Sequence, residues 1–481
     1  MATAMNKDAR PEDTICAVAT PSGEGGIGII RISGPDTISI ASQFIRIRSG
    51  LSLHALESHR LHLADIVLPY DQASLSSSQP DVPLDEALVV YMKAPRSYTT
   101  EDVVEIHAHG SHTALAKISE ACLKAGCRLA APGEFTKRAF LNGRLDLSQA
   151  EAVLDTIKAT SDQSLAIAQR HLRGSLKQEV DRLRSSLLAM LAHLEAGIDF
   201  VEEDIEFVGR EELKRVISET AGVVAAALNS SRAGRLLREG ARVVIVGCPN
   251  VGKSSLLNRL LGDRRAIVTN IPGTTRDLIE ETMRLDGYTV SLVDTAGLRE
   301  TDDPIEQEGI RRTEGAIREA DLLIVMIDAT DPVQTAQVFD STAFGGKNLI
   351  VALNKVDLCT ESQMKNLRLN LSLPGNVIAL PISTVTGAGL ESLRESIKDR
   401  TGLQGLEPSH GVTITNVRHE EILLRCRDYL LKAMDSIDSG THPECVAVDL
   451  RGAADALGEI TGVITSDDVL NRIFSEFCIG K

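Results

Sequence analysis

The sequence predicts an α/β and α protein: an N-terminal α/β block, a helical stretch, and a second α/β block inserted between helices. Three observations predict it. Residues 13–145 hold short apolar runs separated by turn residues, the mark of strands. From Ser148 to Arg238, apolar residues recur at three- and four-residue spacing, the mark of amphipathic helices. From Arg242, apolar strand-like runs alternate with helix-compatible stretches, the mark of a parallel sheet.

In chain order, TICAVAT, GIGIIRIS, HRLHLADIVLP, EALVVYM and DVVEIHAHG read as the strands of the first block, 1–147. The Ser-, Asp- and Pro-rich stretch from Asp71 to Pro83 reads as a loop. The first helical part, 148–240, closes at Gly240. RVVIVG, YTVSLVD, DLLIVMID, NLIVALNKVD and NVIALPIS then read as parallel strands of an inserted block, 241–401. After the loop GLQGLEPSHGV, helical texture runs from Asn416 to Phe477. The tail 402–481 is short for a domain of its own, so it is expected to pack with the earlier helices as one bundle.

Bulk properties narrow the function. A chain of 481 residues with 43% hydrophobic residues can bury sizeable cores in two to four domains. No apolar run reaches the length of a membrane span, and the N-terminus lacks a signal peptide's apolar core, so no membrane association and a cytoplasmic location are expected. Eight cysteines without C-x-x-C pairs suit free thiols in a reducing compartment. A net charge of −16 argues against a surface that coats nucleic acid broadly, though a local basic patch could still hold one RNA.

Four motifs carry chemistry. GCPNVGKS, from Gly247 to Ser254, matches G-x-x-x-x-G-K-[ST] between an apolar strand and the helical SSLLNRLL. Its glycines let backbone N–H groups approach phosphates. Lys253 would reach the β- and γ-phosphates, and the Ser254 hydroxyl would ligate Mg²⁺. The loop TNIPGTTRD supplies Thr275 as the second Mg²⁺ hydroxyl. DTAG follows the second strand of the inserted block, with Asp294 on the Mg²⁺ side and the Gly297 N–H turned to the γ-phosphate. NKVD, from Asn354 to Asp357, ends another strand; its carboxylate can accept from guanine N1–H and the 2-amino group. Adenine offers neither, and such sites reject the wrong partner by about 10⁴-fold. Ser383, Thr384 and Val385 complete the base contacts. In this order the motifs identify a Ras-like P-loop GTPase domain. Its nucleotide set is Asn250, Val251, Gly252, Lys253, Ser254 and Ser255, then Thr269, Asn270, Ile271, Pro272, Gly273, Thr274 and Thr275, then Asp294, Thr295, Ala296 and Gly297, then Asn354, Lys355 and Asp357 with Ser383–Val385.

One position departs from the Ras pattern. Leu298 stands where a glutamine usually orients the attacking water. Glu300, Asp302, Asp303, Glu306 and Glu308 follow closely, and chemistry alone does not choose among them.

With these motifs set against ATPSGEGGIGIIRISGP, APGEFTKRAFLNGRLDLSQAEAV, LLREGARVVIVGCPNVGKSSLLNRL, IVTNIPGTTRD and ITSDDVLNRIFSEFCIGK, nearly the whole chain resembles the MnmE (or TrmE) family of tRNA uridine-modification GTPases. The resemblance implies potassium held by Asn250, Thr269, Ile271 and Thr274, acting in place of an arginine finger, with Glu306 positioning the water. It implies an N-terminal domain that holds 5-formyl-tetrahydrofolate through Arg31, Glu105, Arg144 and Lys481. It also implies a homodimer through the N-terminal domains. A complex with the FAD-dependent MnmG would then modify C5 of the wobble uridine of certain tRNAs. The sequence departs from the family in PSGEGG for PPGRGG, which puts Glu24 in place of a base, and in Arg144 in place of a Lys.

Bland readings stand beside these. His107, His109 and His112 could suggest a metal, but on a strand and turn they are more often satisfied or surface histidines. Glu202–Glu206 reads as a solvated helix end. Cys478 is either an ordinary thiol or, beside the terminal Lys481, a group near the folate, with Phe474 and Phe477 docking that tail. A ribosome-assembly or regulatory GTPase switch is the alternative class. Such switches usually carry a basic RNA-binding module, and no Lys/Arg-rich module is visible here.

Overall fold

The computed structural model describes residues 13–21, 23–67, 83–199, 209–262, 279–294, 314–331, 347–370, 377–403 and 413–481. Contacts group them into two units, Met1–Leu154 with Gly458–Lys481, and Asp155–Leu457.

In the first unit, seven strands form one sheet in the order β3-β4-β5-β6-β2-β1-β7. They are β1 (Ile15–Val18), β2 (Gly25–Ser33), β3 (Ile45–Ile47), β4 (Leu61–Ile66), β5 (Asp85–Met92), β6 (Val103–Gly110) and β7 (Arg128–Leu129). Residues of period two decide its faces. Ile30 and Ile32 of β2 and Val104 and Ile106 of β6 are fully buried, packed with Phe44, Ile118 and Cys122 beneath α1 (Thr37–Ala41) and α2 (His112–Lys124). Arg31, Glu105, His107 and His109 occupy the alternate positions and so project from the other side. β3 and β7, of three and two residues, are the strands that the sequence pattern did not announce.

On that unit's far side, α3 (Glu134–Leu141) and the start of α4 (Leu147–Lys158) meet the end of the chain. Leu147, Ala150, Leu154, Leu470, Phe474 and Phe477 form one buried cluster. The two phenylalanines, 2% and 4% exposed, supply about 1.5–3 kcal/mol each towards holding the tail. By contacts, the residues from Gly458 onward group with the N-terminal unit.

The second unit contains α5 (Asp162–Leu172), α6 (Ser175–Asp199), α7 (Arg210–Glu239), α8 (Lys253–Leu261), α9 (Glu361–Asn370), α10 (Leu390–Thr401), α11 (Val417–Asp438) and most of α12 (Pro443–Thr461); α13 (Asp467–Ser475) belongs to the first unit. Ser161 starts α5 with a reciprocal cap, its hydroxyl accepting from Ser164 N at 3.1 Å while Ser164 Oγ accepts from Ser161 N at 3.0 Å. The long α7 packs along α11, so the helix before the inserted block meets the helix after it.

Between them lies a six-stranded sheet ordered β13-β12-β11-β8-β10-β9. Its strands are β8 (Ala241–Gly247), β9 (Ile279–Leu285), β10 (Tyr288–Asp294), β11 (Leu322–Asp328), β12 (Leu349–Asn354) and β13 (Ile378–Pro381). Five run parallel, as expected, and are apolar because both faces are covered. β9 is an antiparallel edge that the sequence reading missed. Its signal was present: Asp286-Gly287 (φ 50 and 86) makes the tight turn that a D-G pair favours.

The joint between α7 and β8 is tight. Gly240 (φ +84, ψ 176) adopts a conformation nearly closed to other residues, and a Cβ there would lie 2.5 Å from the Thr289 carbonyl oxygen. Thr160 and Thr289 share a hydroxyl hydrogen bond of 2.7 Å, and Arg284 Nε donates to the Thr160 carbonyl at 3.1 Å. Gly240→Ala is expected to lower the thermal midpoint of the full chain, at a cost of about 1–3 kcal/mol. Gly222→Ala, inside α7 with open space around it, is expected to raise the midpoint by the helical gain of about 0.5–1 kcal/mol. Equal midpoints for the two variants in differential scanning calorimetry would contradict this reading of the joint.

Candidate functional site

Each unit carries a candidate site. In the second, β8 ends at Gly247, and the chain turns through left-handed backbone at Asn250 (φ 64) and Gly252 (φ +101) before α8 begins at Lys253. The first N–H groups of α8 have no intrahelical acceptor, and with the helix dipole they suit an anion. Gly252 is required: a Cβ there would lie 2.4 Å from Asn354 Nδ2. The buried Lys253 amine donates to the carbonyls of Gly247 and Cys248 at 2.8 and 3.0 Å, which curls its stem over the loop.

Asn354, 1% exposed at the end of β12, joins two loops. Its amide donates to the Val251 carbonyl at 2.8 Å and to Thr384 Oγ1 at 3.3 Å, and its carbonyl accepts from Thr384 N at 3.0 Å. The phosphate loop and the base loop are thus tied to one side chain. Lys355 takes left-handed backbone (φ 66), and its ammonium pairs with Asp328 at 2.5 Å. Burial works to raise the Asp328 pKa, but hydrogen bonds from Lys355 and Thr330 outweigh it and hold the carboxyl below its usual range. Asp357 lies exposed in a short 3-10 turn, Val356–Leu358. Ser383 is buried, its hydroxyl accepting from Thr386 N at 3.1 Å. Arg259 of α8 donates to the carbonyls of Thr384 and Val385 at 3.1 and 2.8 Å. Sequence reasoning missed Asp328 and Arg259. Asp328 had a signal, since it ends a parallel strand where ligands gather; Arg259 had none.

Thr269, Asn270, Ile271, Pro272, Gly273, Thr274, Thr275, Thr295, Ala296, Gly297, Leu298 and the acidic set with Glu306 lie outside the described residues, as do Glu202–Glu206 and the Asp294 side chain. Asn250, Val251, Gly252, Lys253, Ser254 and Ser255 stand together at the α8 N-terminus.

In the first unit, the β2/β6 register sets Arg31 opposite Glu105. Arg31 Nε donates to Glu105 Oε1 at 2.7 Å, and its Nη1 donates to the Gly480 carbonyl at 3.3 Å. The guanidinium sits 5.5 Å from the Tyr98 and Phe135 ring centres, and that of Arg144 sits 4.9 Å from Tyr98. Beside them opens a cavity of about 580 Å³, within the usual size of a small-molecule site. Lys481 is half-buried next to this pair; burial, then the Arg31 charge, lower its pKa against the opposing pull of Glu105 and Cys478. The chain end thus meets Arg31 through the Gly480 carbonyl and sets Lys481 beside the Arg31–Glu105 pair, and the Cys478 side chain is exposed. Tyr98 and Asn142, which line the cavity, escaped the sequence reading because only tertiary contact brings them there.

Two of the three histidines find ordinary partners. His107 pairs with Glu105 at 3.4 Å and His109 with Asp85 at 2.6 Å. Among the described residues no group of His, Cys, Asp and Glu could hold a metal, and no helix is long and apolar enough to cross a membrane.

A family model described as the MnmE helical domain matches residues 147–478, and one described as the GTP-binding protein TrmE N-terminus matches residues 14–144. The tRNA modification GTPase MnmE of Heliobacterium modesticaldum is 45% identical over 476 residues, covering 98% of this chain and 99% of that protein. The proteins of that name from Symbiobacterium thermophilum and Moorella thermoacetica are also 45% identical, over 472 and 473 residues, covering 98% of this chain and 100% of each.

Asn354→Ala would leave the Thr384 N–H and the Val251 carbonyl unpaired and release both loops. A buried group left unsatisfied costs about 1–3 kcal/mol. Guanine-nucleotide affinity is therefore expected to fall at least tenfold in a fluorescent-nucleotide titration, with the helical content of the variant retained. Unchanged affinity would show that the two loops hold their places without the amide.

Proposed function

The chain belongs to the MnmE family of tRNA modification GTPases, and on that premise we propose that its GTP hydrolysis depends on potassium and serves C5 modification of the wobble uridine. In this reading the FAD-dependent MnmG is its partner, and an aminomethyl or carboxymethylaminomethyl group is installed on certain tRNAs in the cytoplasm. The observation that carries the nucleotide part is the Asn354 amide, which ties a phosphate loop to a base loop.

This chain's residues would act as follows. The α8 N-terminus and Lys253 receive the phosphates, and Asp357 accepts from the guanine edge. Ser254 and Thr275 would hold Mg²⁺, while Asn250 with Thr269, Ile271 and Thr274 would hold potassium. When bound, the two cations supply positive charge against the phosphate oxygens. Glu306 would orient the water that Leu298 cannot. The left-handed backbone at Asn250 supports its part, because it turns the loop out of the helix path just before the Gly-Lys pair.

In the N-terminal unit, the Arg31–Glu105 pair, Arg144 and Lys481 fit a folate: a carboxylate for an amide-like pterin edge, and cations for an anion. When bound, the folate supplies a one-carbon unit, and Cys478 and Lys481 would stand near it. The sheet face of Arg31 and Glu105 also supports the homodimer. Leu61, Leu63 and Leu88 share it by register, and they stay 49%, 41% and 41% exposed.

The experiment pairs two readouts on a deletion strain complemented with variants. Asp357→Asn is expected to shift preference from guanine to xanthine nucleotides, because an amide donates where the carboxylate accepted. Glu306→Ala is expected to cut turnover with GTP binding nearly intact, and turnover in potassium should exceed that in sodium at matched ionic strength. Mass spectrometry of tRNA nucleosides is expected to show loss of the wobble modification when the last four residues are removed, with GTP hydrolysis retained. Normal modification in that strain would remove the tail from the chemistry; turnover indifferent to the ion would remove potassium. Separately, Leu63→Glu with Leu88→Glu is expected to give a monomer in analytical ultracentrifugation.

A further inference from the structure

The cavity of the N-terminal unit has an uneven charge. Its lining holds three guanidinium groups, Arg31, Arg96 and Arg144, against one carboxylate, Glu105. Glu105 is committed to Arg31 at 2.7 Å and borders His107 at 3.4 Å. Among the described residues, Arg96 and Arg144 have no ion-pair partner. Two cations therefore remain uncompensated at one cavity, on a chain whose net charge is −16.

Arg144 and the loop that carries Arg96 are also held in place. Arg144 Nη1 donates to the Tyr98 carbonyl at 2.7 Å, and its guanidinium lies 4.9 Å from the Tyr98 ring centre. Tyr98 is fixed in turn, its hydroxyl sharing a 2.9 Å hydrogen bond with the buried Thr136. Its neighbours are pinned on both sides: Asn142 Nδ2 donates to the Thr99 carbonyl at 2.7 Å, and Thr99 Oγ1 bonds Ser33 Oγ at 2.7 Å. Ser97 Oγ donates to the Glu101 carbonyl at 2.5 Å, and the Glu101 carboxylate pairs with buried Arg138 at 3.1 Å. Arg96 sits on this braced loop, one residue before Ser97, where it is exposed and lines the cavity. Two guanidiniums lining one cavity suit a ligand that carries several carboxylates.

We propose that Arg96 and Arg144 form a carboxylate subsite that takes the glutamate tail of a folate, so that affinity rises with the number of tail carboxylates. This rests on the folate reading of the cavity. In that reading Glu105 and Arg31 meet the polar heterocycle, and the two free guanidiniums meet the opposite, acidic end of the ligand. The ligand class becomes polyglutamylated folates, ahead of the monoglutamate.

The test titrates the full-length protein with three probes by calorimetry at low ionic strength: 5-formyl-tetrahydropteroate, which lacks glutamate, the monoglutamate and the triglutamate. The wild type is expected to bind them in rising order. The step from pteroate to triglutamate should be about two- to fivefold, the yield of one partly exposed ion pair, and should shrink as salt is added. Arg96→Ala and Arg144→Ala are each expected to bring the triglutamate-to-pteroate ratio toward one, and Arg96→Lys to restore part of it. Because the measure is a ratio within one protein, a general loss of folding would not imitate it. Equal affinities for the three probes in the wild type, or a ratio unchanged in both alanine variants, would overturn the subsite. No binding of any probe by the wild type would overturn the folate reading itself.

Discussion

The nucleotide site depends on one buried amide. A lone Asn at a strand end, without water, must find partners for a carbonyl and an NH₂ group, and here two loops supply them: the Val251 carbonyl, and the N–H and hydroxyl of Thr384. Asn354 thereby converts two separate loops into a single rigid rim. The requirement propagates outward. Gly252 must be glycine to let the amide approach, and Arg259 must reach across from α8 to hold the far carbonyls of the base loop. Apolar β8, β11 and β12 supply the frame that keeps the amide dry.

The N-terminal unit follows another constraint, the two-residue period of its strands. Because alternate residues of β2 and β6 fill a core, the remaining positions are free to carry charge on the other face. Two neighbouring charges of opposite sign then neutralise each other, which lets Arg31 sit beside aromatic rings without leaving a bare charge near the apolar tail.

Much of this was legible in the residues. Strands such as GIGIIRIS and DVVEIHAHG carry local periodicity, and the phosphate loop carries a fixed spacing that backbone chemistry demands. What escaped was of two kinds. β3 and β7 are too short to show any period, whereas β9 was announced by Asp286-Gly287 and overlooked. Tyr98 and Arg259 depend on contacts between distant segments, and no local pattern encodes a partner far along the chain. The acid chosen for the water and most of the potassium ligands fall outside the described residues, so they rest on the family resemblance.

The seating of Phe474 and Phe477 against Leu147 and Leu154 has a consequence for biogenesis. The segment that completes the N-terminal unit is separated from it by residues Asp155–Leu457. At a synthesis rate of roughly 5–20 residues per second, those intervening residues take on the order of 15–60 s to emerge from the ribosome. For that interval the nascent N-terminal unit exposes an apolar face and lacks the Gly480 carbonyl that braces Arg31. The whole middle of the protein can fold first, and the cavity matures last.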